Sequence, residues 1–216
     1  MKPLVAVFAH PDDEAFGPGG TLAKFAKKRD VYIICVTNGD AGQNSSKKTK
    51  ELGQIRKEEM LASTKILGVK KVFFLGYKDG TLCNNLYHEI AEKIEKSIKP
   101  LQPEILLTFE PRGVSGHIDH MAVSMITSYV FERSDFVKQL WYYCASNSVR
   151  NQQKQYFIYF PPGYKKADVD KVVNVSAVWE TKVSAMHKHE SQQHDIDPIM
   201  QSLAKRPKEE YFLILK

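Results

Sequence analysis

Leu4-Val5-Ala6-Val7-Phe8-Ala9-His10-Pro11-Asp12-Asp13-Glu14 is the stretch from which the fold is read. Its first six residues form a continuous apolar run with two valines, the pattern of a strand buried on both faces. His10 therefore stands at a strand's carboxyl end. Pro11 holds His10 extended, offers no N–H to a ladder, and sends the following carboxylates onto a loop. In open α/β sheets, ligands gather at that place. Two carboxylates about 4 Å apart repel by roughly 4 kcal/mol at a surface-like dielectric, so Asp12, Asp13 and Glu14 in one turn call for a nearby cation or proton. A metal supplies it most simply. A solvated acidic turn capping a helix that begins near Pro18 is the alternative.

A second cluster weighs against that alternative. Gly116-His117-Ile118-Asp119-His120 follows the apolar run Glu104-Ile105-Leu106-Leu107-Thr108-Phe109 and precedes a helical pattern from Met121 to about Phe131. His117 and His120, three apart at a helix start, can face the same way. Two strand ends, each followed by His and Asp, can meet at one site. Three of these side chains can then hold a metal and leave positions open for water and substrate, as catalytic zinc requires.

Outward from these motifs, strand-like and helix-like segments alternate. Val31–Val36 and Val72–Leu75 read as strands, and helices are expected from Pro18 to about Lys28, from Thr49 to Leu67 and from Tyr87 to Lys99. The alternation predicts an α/β protein, a Rossmann-like three-layer sandwich with a mostly parallel central sheet. After the second motif, Gln139–Cys144 and Gln155–Phe160 read as strands, Asp168–Val175 as strand-like or irregular, Ala177–Gln193 and Asp197–Ala204 as helices, and Tyr211–Leu215 as a closing strand. Strand order is not readable. The polar loop Asn38–Lys48 is either a lid beside the site or a plain surface loop.

The chain of 216 residues is read as one domain spanning residues 1–216, with 26% charged and 43% hydrophobic residues, ordinary for a globular protein. The strand follows Met1-Lys2 too closely for a signal peptide and no stretch reaches membrane-spanning length, so a cytoplasmic location and no membrane partner are expected. Cys35, Cys83 and Cys144 form no pairing framework and are read as free thiols. The net charge of +6 comes from scattered lysines with no nucleic-acid-binding motif, which reads as a solvated face rather than a nucleic-acid interface. Gly17-Pro18-Gly19-Gly20 lacks dinucleotide-binding spacing, and three carboxylates stand where pyrophosphate would approach.

The two His/Asp motifs resemble the signature of the LmbE-like, or PIG-L, metal-dependent deacetylases. Gly19–Ala23, Thr37–Gly42, Arg56–Glu59, Leu75–Gly80 and Lys182–Gln192 corroborate it, and Ile118 departs from the family's more usual proline. The resemblance implies a hydrolase that removes acetyl from an N-acetylated amino sugar, with a small-molecule substrate, in an enzyme class that is often homo-oligomeric. It assigns His10, Asp13 and His120 as metal ligands for zinc, with iron(II) as the alternative. It makes Asp12 the general base, with Glu14 as rival, and His117 the donor to the oxyanion. Asp119 is expected to orient His117 and keep it protonated, or else to be a helix N-terminal charge. Arg56 and Asp79 are expected to bind substrate, against an ion pair and a turn as their ordinary readings. For His189 and Gln192 helix packing is expected. A soluble conjugate is favoured over a lipid-linked one, and the competing readings are a non-catalytic sugar-binding relative and an amidase acting on another N-acyl conjugate.

Overall fold

A computed structural model describes residues 1–46, 49–147, 158–204 and 206–216. Seven strands form one sheet: β1 (Leu4–Phe8), β2 (Val31–Thr37), β3 (Lys71–Tyr77), β4 (Ile105–Phe109), β5 (Gln139–Cys144), β6 (Lys171–Asn174) and β7 (Glu209–Leu215). The helices are α1 (Asp13–Phe16), α2 (Gly19–Ala26), α3 (Leu52–Leu67), α4 (Tyr87–Ile98), α5 (Gly113–Gly116), α6 (Ile118–Glu132), α7 (Trp179–Met186) and α8 (Gln193–Leu203). The sheet order is β3-β2-β1-β4-β5-β7-β6. The first five strands of that order run parallel; β7 pairs antiparallel with both β5 and β6.

β1 is buried along its whole length and alternates between two cores. Leu4, Ala6 and Phe8 pack with Leu22 of α2, Met60 and Leu67 of α3 and Met186 of α7. Val5 and Val7 pack with Ile90, Ile94 and Ile98 of α4 and with Val123, Ile126 and Val130 of α6. The three layers expected from the alternation are present. The connection after β1 leads to β2 on one side, whereas β4 lies on the other side of β1. The carboxyl ends of β1 and β4 therefore flank the topological switch point, where such sheets bind ligands.

The C-terminal part departs from expectation. The helix expected over Ala177–Gln193 ends at Met186, and a separate 3-10 turn covers Glu190–Gln192. Side-chain bonds explain the break. His189 turns inward to Glu14, while Ser191 gives its N–H and hydroxyl to Glu59. The next helix begins at Gln193, before the expected Asp197, and carries Pro198 inside it. Of the strand expected over Gln155–Phe160, residues 155–157 lie outside the described residues and 158–160 are not strand. Lys47 and Lys48 of the expected Asn38–Lys48 loop also lie outside. Ahead of them, Ser45 is bonded to Ser191 and His194, and Gln43 to Gln192.

Candidate metal centre

β1 and β4 are neighbours in register, so the loops that follow them leave the sheet side by side and bring His10, His117 and His120 together. The ring of His10 lies 4.6 Å from that of His117 and 5.0 Å from that of His120, centroid to centroid. His10 Nδ1 and His120 Nε2 face each other at 3.0 Å. Asp13 Oδ1 stands 3.3 Å from His120 Nε2, and Oδ2 3.8 Å from His10 Nδ1.

The outward nitrogens decide what the inward ones can do. His120 Nδ1 lies 3.1 Å from the Gly113 carbonyl, which can only accept. His10 Nε2 lies 2.9 Å from Asp79 Oδ1 and 3.4 Å from Asp119 Oδ2, ionic contacts off the line of a good hydrogen bond. Protons on those outer nitrogens leave the lone pairs of His10 Nδ1 and His120 Nε2 directed at one another, an arrangement that needs a cation or a proton between them. Donors bound tetrahedrally at about 2.0–2.1 Å sit about 3.3–3.4 Å apart. The His10–His120 and His120–Asp13 Oδ1 separations of 3.0 and 3.3 Å lie near that spacing, while the 3.8 Å contact to His10 is made by the other Asp13 oxygen. Among the described residues, His10, His117 and His120 form one group whose donor atoms lie within 4.8 Å of one another, and His10, Asp79 and Asp119 form another.

The electrostatics ask for positive charge in the same place. Burial works against a charged His10, yet Asp119, Asp79 and Asp13 lift it to about 10. Burial likewise opposes ionisation of Asp13, Asp79 and Asp119, and the imidazoles outweigh it, so all three are held below the usual carboxylate range. Burial raises Asp12 to about 6 against the pull of Arg56. His117 is pushed down to about 4 by burial and by the charges of His10 and His120.

A solvated acidic turn does not describe these carboxylates, because Asp13 is 6% exposed and Glu14 is fully buried. Glu14 points away from the imidazoles. It accepts from Ser63 Oγ at 2.6 Å, His189 Nε2 at 2.7 Å and the Asp12 N–H at 3.0 Å. The rival assignment of Glu14 as base thus meets a carboxylate already committed to three donors. Asp12 has φ +124°, a left-handed conformation costly for a residue with a Cβ. Its N–H is tied by Glu14, and one of its oxygens accepts from Arg56 Nη2 at 2.9 Å.

Three further expectations meet different geometry. Arg56 is 4% exposed and gives its fork to Asp12 and to the carbonyls of Pro11 and Gly39. Gly39 permits this approach, since a Cβ there would lie within 2.8 Å of three guanidinium atoms. Arg56 therefore holds the acidic loop instead of presenting a free fork to substrate. Asp79 is turned onto His10, and its own N–H is bound by Asp40. Asp119 keeps its carboxylate for the N–H groups of Gly80 and Leu82, while its backbone N–H donates to His117 Nδ1 at 3.1 Å. That bond places the His117 proton on Nε2 and makes it a neutral N–H donor, oriented by the Asp119 backbone and not by the carboxylate expected to keep it protonated.

Sequence reasoning missed Glu110. Buried at the end of β4, it accepts from the N–H groups of Arg112 and Val114 and from the Tyr164 hydroxyl. It thereby shapes the loop whose Gly113 carbonyl fixes His120. Its signal was available: an acid placed directly after a buried strand, as His10 follows β1. His189, expected to be a packing residue, is instead the buried partner of Glu14.

Fold and site together define an α/β protein with a candidate His/Asp metal centre at the switch point of a doubly wound sheet. Residues 5–131 match the family described as PIG-L: GlcNAc-PI de-N-acetylase, and the chain belongs to that family. It is 28% identical over 221 residues to the 1D-myo-inositol 2-acetamido-2-deoxy-alpha-D-glucopyranoside deacetylase of Corynebacterium diphtheriae, covering 87% of this chain and 75% of that protein. It is 29% identical over 195 residues to the probable N-acetyl-alpha-D-glucosaminyl L-malate deacetylase 2 of Bacillus cereus, covering 88% of this chain and 83% of that protein. The N,N'-diacetylchitobiose deacetylase of Pyrococcus horikoshii shares the fold, with a TM-score of 0.74 at 22% identity over 99% of this chain and 84% of that one.

Proposed function

We propose that this protein is a metal-dependent deacetylase that hydrolyses the acetamide of an N-acetylated amino sugar, with His10, Asp13 and His120 holding the ion. The carrying observation is the pair of ring nitrogens facing each other at 3.0 Å beside the Asp13 carboxylate, with both outer nitrogens set against acceptors. Zinc is the proposed metal, because two imidazoles, one carboxylate and open positions suit it; iron(II) accepts the same set. When bound, the ion supplies Lewis acidity toward the amide carbonyl and lowers the pKa of the attacking water.

The chain's own residues do the rest. Asp12, anchored by Arg56 and by Glu14, takes the proton of the attacking water and returns it to the leaving amine. His117, neutral with its proton on Nε2, donates to the oxygen of the tetrahedral intermediate, and removing such a donor costs on the order of a hundredfold or more in rate. Asp79 and Asp119 hold His10 in the orientation that turns Nδ1 inward. The deacetylase relatives and the intact Asp12 and His117 favour this reading over a non-catalytic sugar-binding one.

The test is elemental analysis together with amine release from N-acetylglucosamine conjugates, for the wild type, Asp12→Ala and His120→Ala. About one zinc or iron per chain is expected, as a single catalytic site requires. His120→Ala should lose the metal, and Asp12→Ala should keep the metal but lose turnover. A wild type that retains no metal after reconstitution with zinc or ferrous iron overturns the proposal.

A further inference from the structure

α6 carries two apolar faces. Val123, Ile126 and Val130 are buried against the sheet, whereas Ile118 (69% exposed), Met125 (54%) and Tyr129 (42%) form a second stripe that faces outward. Isolated exposed apolar residues need no explanation, but a helical stripe of them beside a site does. Together with Met121, the start of this stripe forms one wall of a groove of about 580 Å³, and Leu82, Cys83 and Tyr87, with the amides of Asn84 and Asn85, form the facing wall.

Both walls are continuations of the metal centre. On one side Asp79 touches His10, and three residues later Leu82 enters the groove. On the other, His117 packs against His10, and the next residue, Ile118, enters the groove. Asp119 joins the two walls by accepting from the Gly80 and Leu82 N–H groups at 2.8 and 3.2 Å, so the groove is fixed before any ligand arrives. Its lining contains no lysine, arginine, aspartate or glutamate. An anionic substituent would find no counter-charge there, only the neutral amides of Asn84 and Asn85. Thioethers and an aromatic ring suit a flat polarizable group instead.

We propose that this groove is a subsite for an uncharged, apolar group, aromatic above all, joined to the amino sugar whose acetamide is cleaved. The inference rests on the deacetylase reading and deepens it: the malate carried by the substrate named for the Bacillus cereus relative is the kind of group this groove would disfavour.

Cys83 offers a readout that does not need turnover. It lines the groove and is exposed, whereas Cys35 and Cys144 are buried, so iodoacetamide should label Cys83 first in the folded protein. Labelling rates are compared with p-nitrophenyl N-acetylglucosaminide, with the methyl glycoside at equal concentration, and with neither. In parallel, kcat/KM for amine release from the two glycosides is measured in the wild type and in an Ile118→Ser/Met125→Ser variant. The expected result is protection of Cys83 by the aryl glycoside alone, and an aryl-over-methyl preference of about tenfold or more, the range one apolar pocket contact supplies. That preference should collapse toward unity in the variant. Protection without amine release from either glycoside keeps the groove and sinks the deacetylase reading. Amine release at equal rates with Cys83 unprotected keeps the deacetylase reading and overturns the groove. So does a Cys83 labelling rate that falls with protein concentration and ignores both glycosides, since a second copy would then be the occupant.

Discussion

Replacing Glu210 tests a buried ion pair that ties the Gly17–Thr21 turn to α7 and β7. Glu210 on β7 and Lys182 on α7 are 3% and 2% exposed, and their Oε1 and Nζ lie 2.7 Å apart. Glu210 also accepts the N–H groups of Gly20 and Thr21 at the start of α2, and Lys182 donates to the Gly17 carbonyl at 2.6 Å. Removing one partner of such a pair leaves the other charge buried and uncompensated, which costs about 3–5 kcal/mol. The two amides at the helix start lose their acceptor as well, an effect of about 1 kcal/mol. Glu210→Ala should therefore destabilise by about 4 kcal/mol or more, a fall of roughly 8–16 °C in Tm for a chain of this size. Lys182→Met/Glu210→Gln removes both charges and keeps an acceptor for the amides. It should recover most of the loss, and the cycle made of Lys182→Met, Glu210→Gln and the double variant should show a coupling of about 2 kcal/mol or more by urea denaturation. Additive losses, or a Glu210→Ala effect under about 1 kcal/mol, would refute the reasoning, because a buried charge cannot lose its partner without penalty.

Two further tests concern the loop itself. Arg56→Met should lower kcat far more than it raises KM, since the guanidinium binds Asp12 and two backbone carbonyls; a change confined to KM in steady-state assays would restore Arg56 to substrate binding. His189 is a buried group for which burial lowers and Glu14 raises the pKa, with a net rise above 6.5. A raised folded-state value means that the charged pair stabilises fully below about pH 6.5 and loses its effect as pH climbs through the folded value. The stability difference between wild type and His189→Gln should accordingly be widest near pH 6 and narrow toward pH 9 in denaturation midpoints, and a constant difference would exclude the charged pair.

The parts of this molecule that were legible in the sequence are those where one residue type answers to one local cause. The apolar run into His10 specifies a buried strand whatever surrounds it, and Ile90, Ile94 and Ile98 specify a helix face in the same way. The His/Asp motifs were legible as chemistry because acidic groups crowded at a strand end have few neutral explanations. Direction was not legible. Asp79, Asp119 and Arg56 all lie at the site as expected, yet each is turned inward, onto His10, the 80–82 turn and Asp12 respectively. The choice between touching a substrate and touching the outer nitrogen of His10 or a backbone turn depends on positions 37 or more residues away, which no local pattern encodes.

The break after α7 has the same origin. A helical pattern continues through His189, but its imidazole gains a buried carboxylate by leaving the helix, and Ser191 gains Glu59. The exchange is favourable because a hydrogen bond to a buried carboxylate is worth about 1.5–3 kcal/mol, against about 1 kcal/mol for each helical hydrogen bond given up. Glu14 in turn fixes the Asp12 N–H in its left-handed conformation, so the late segment reaches the acidic loop through a single carboxylate. A carboxylate set on a strained backbone must be held by contacts made elsewhere, and for Asp12 those contacts come in part from the segment whose local structure the sequence misreported.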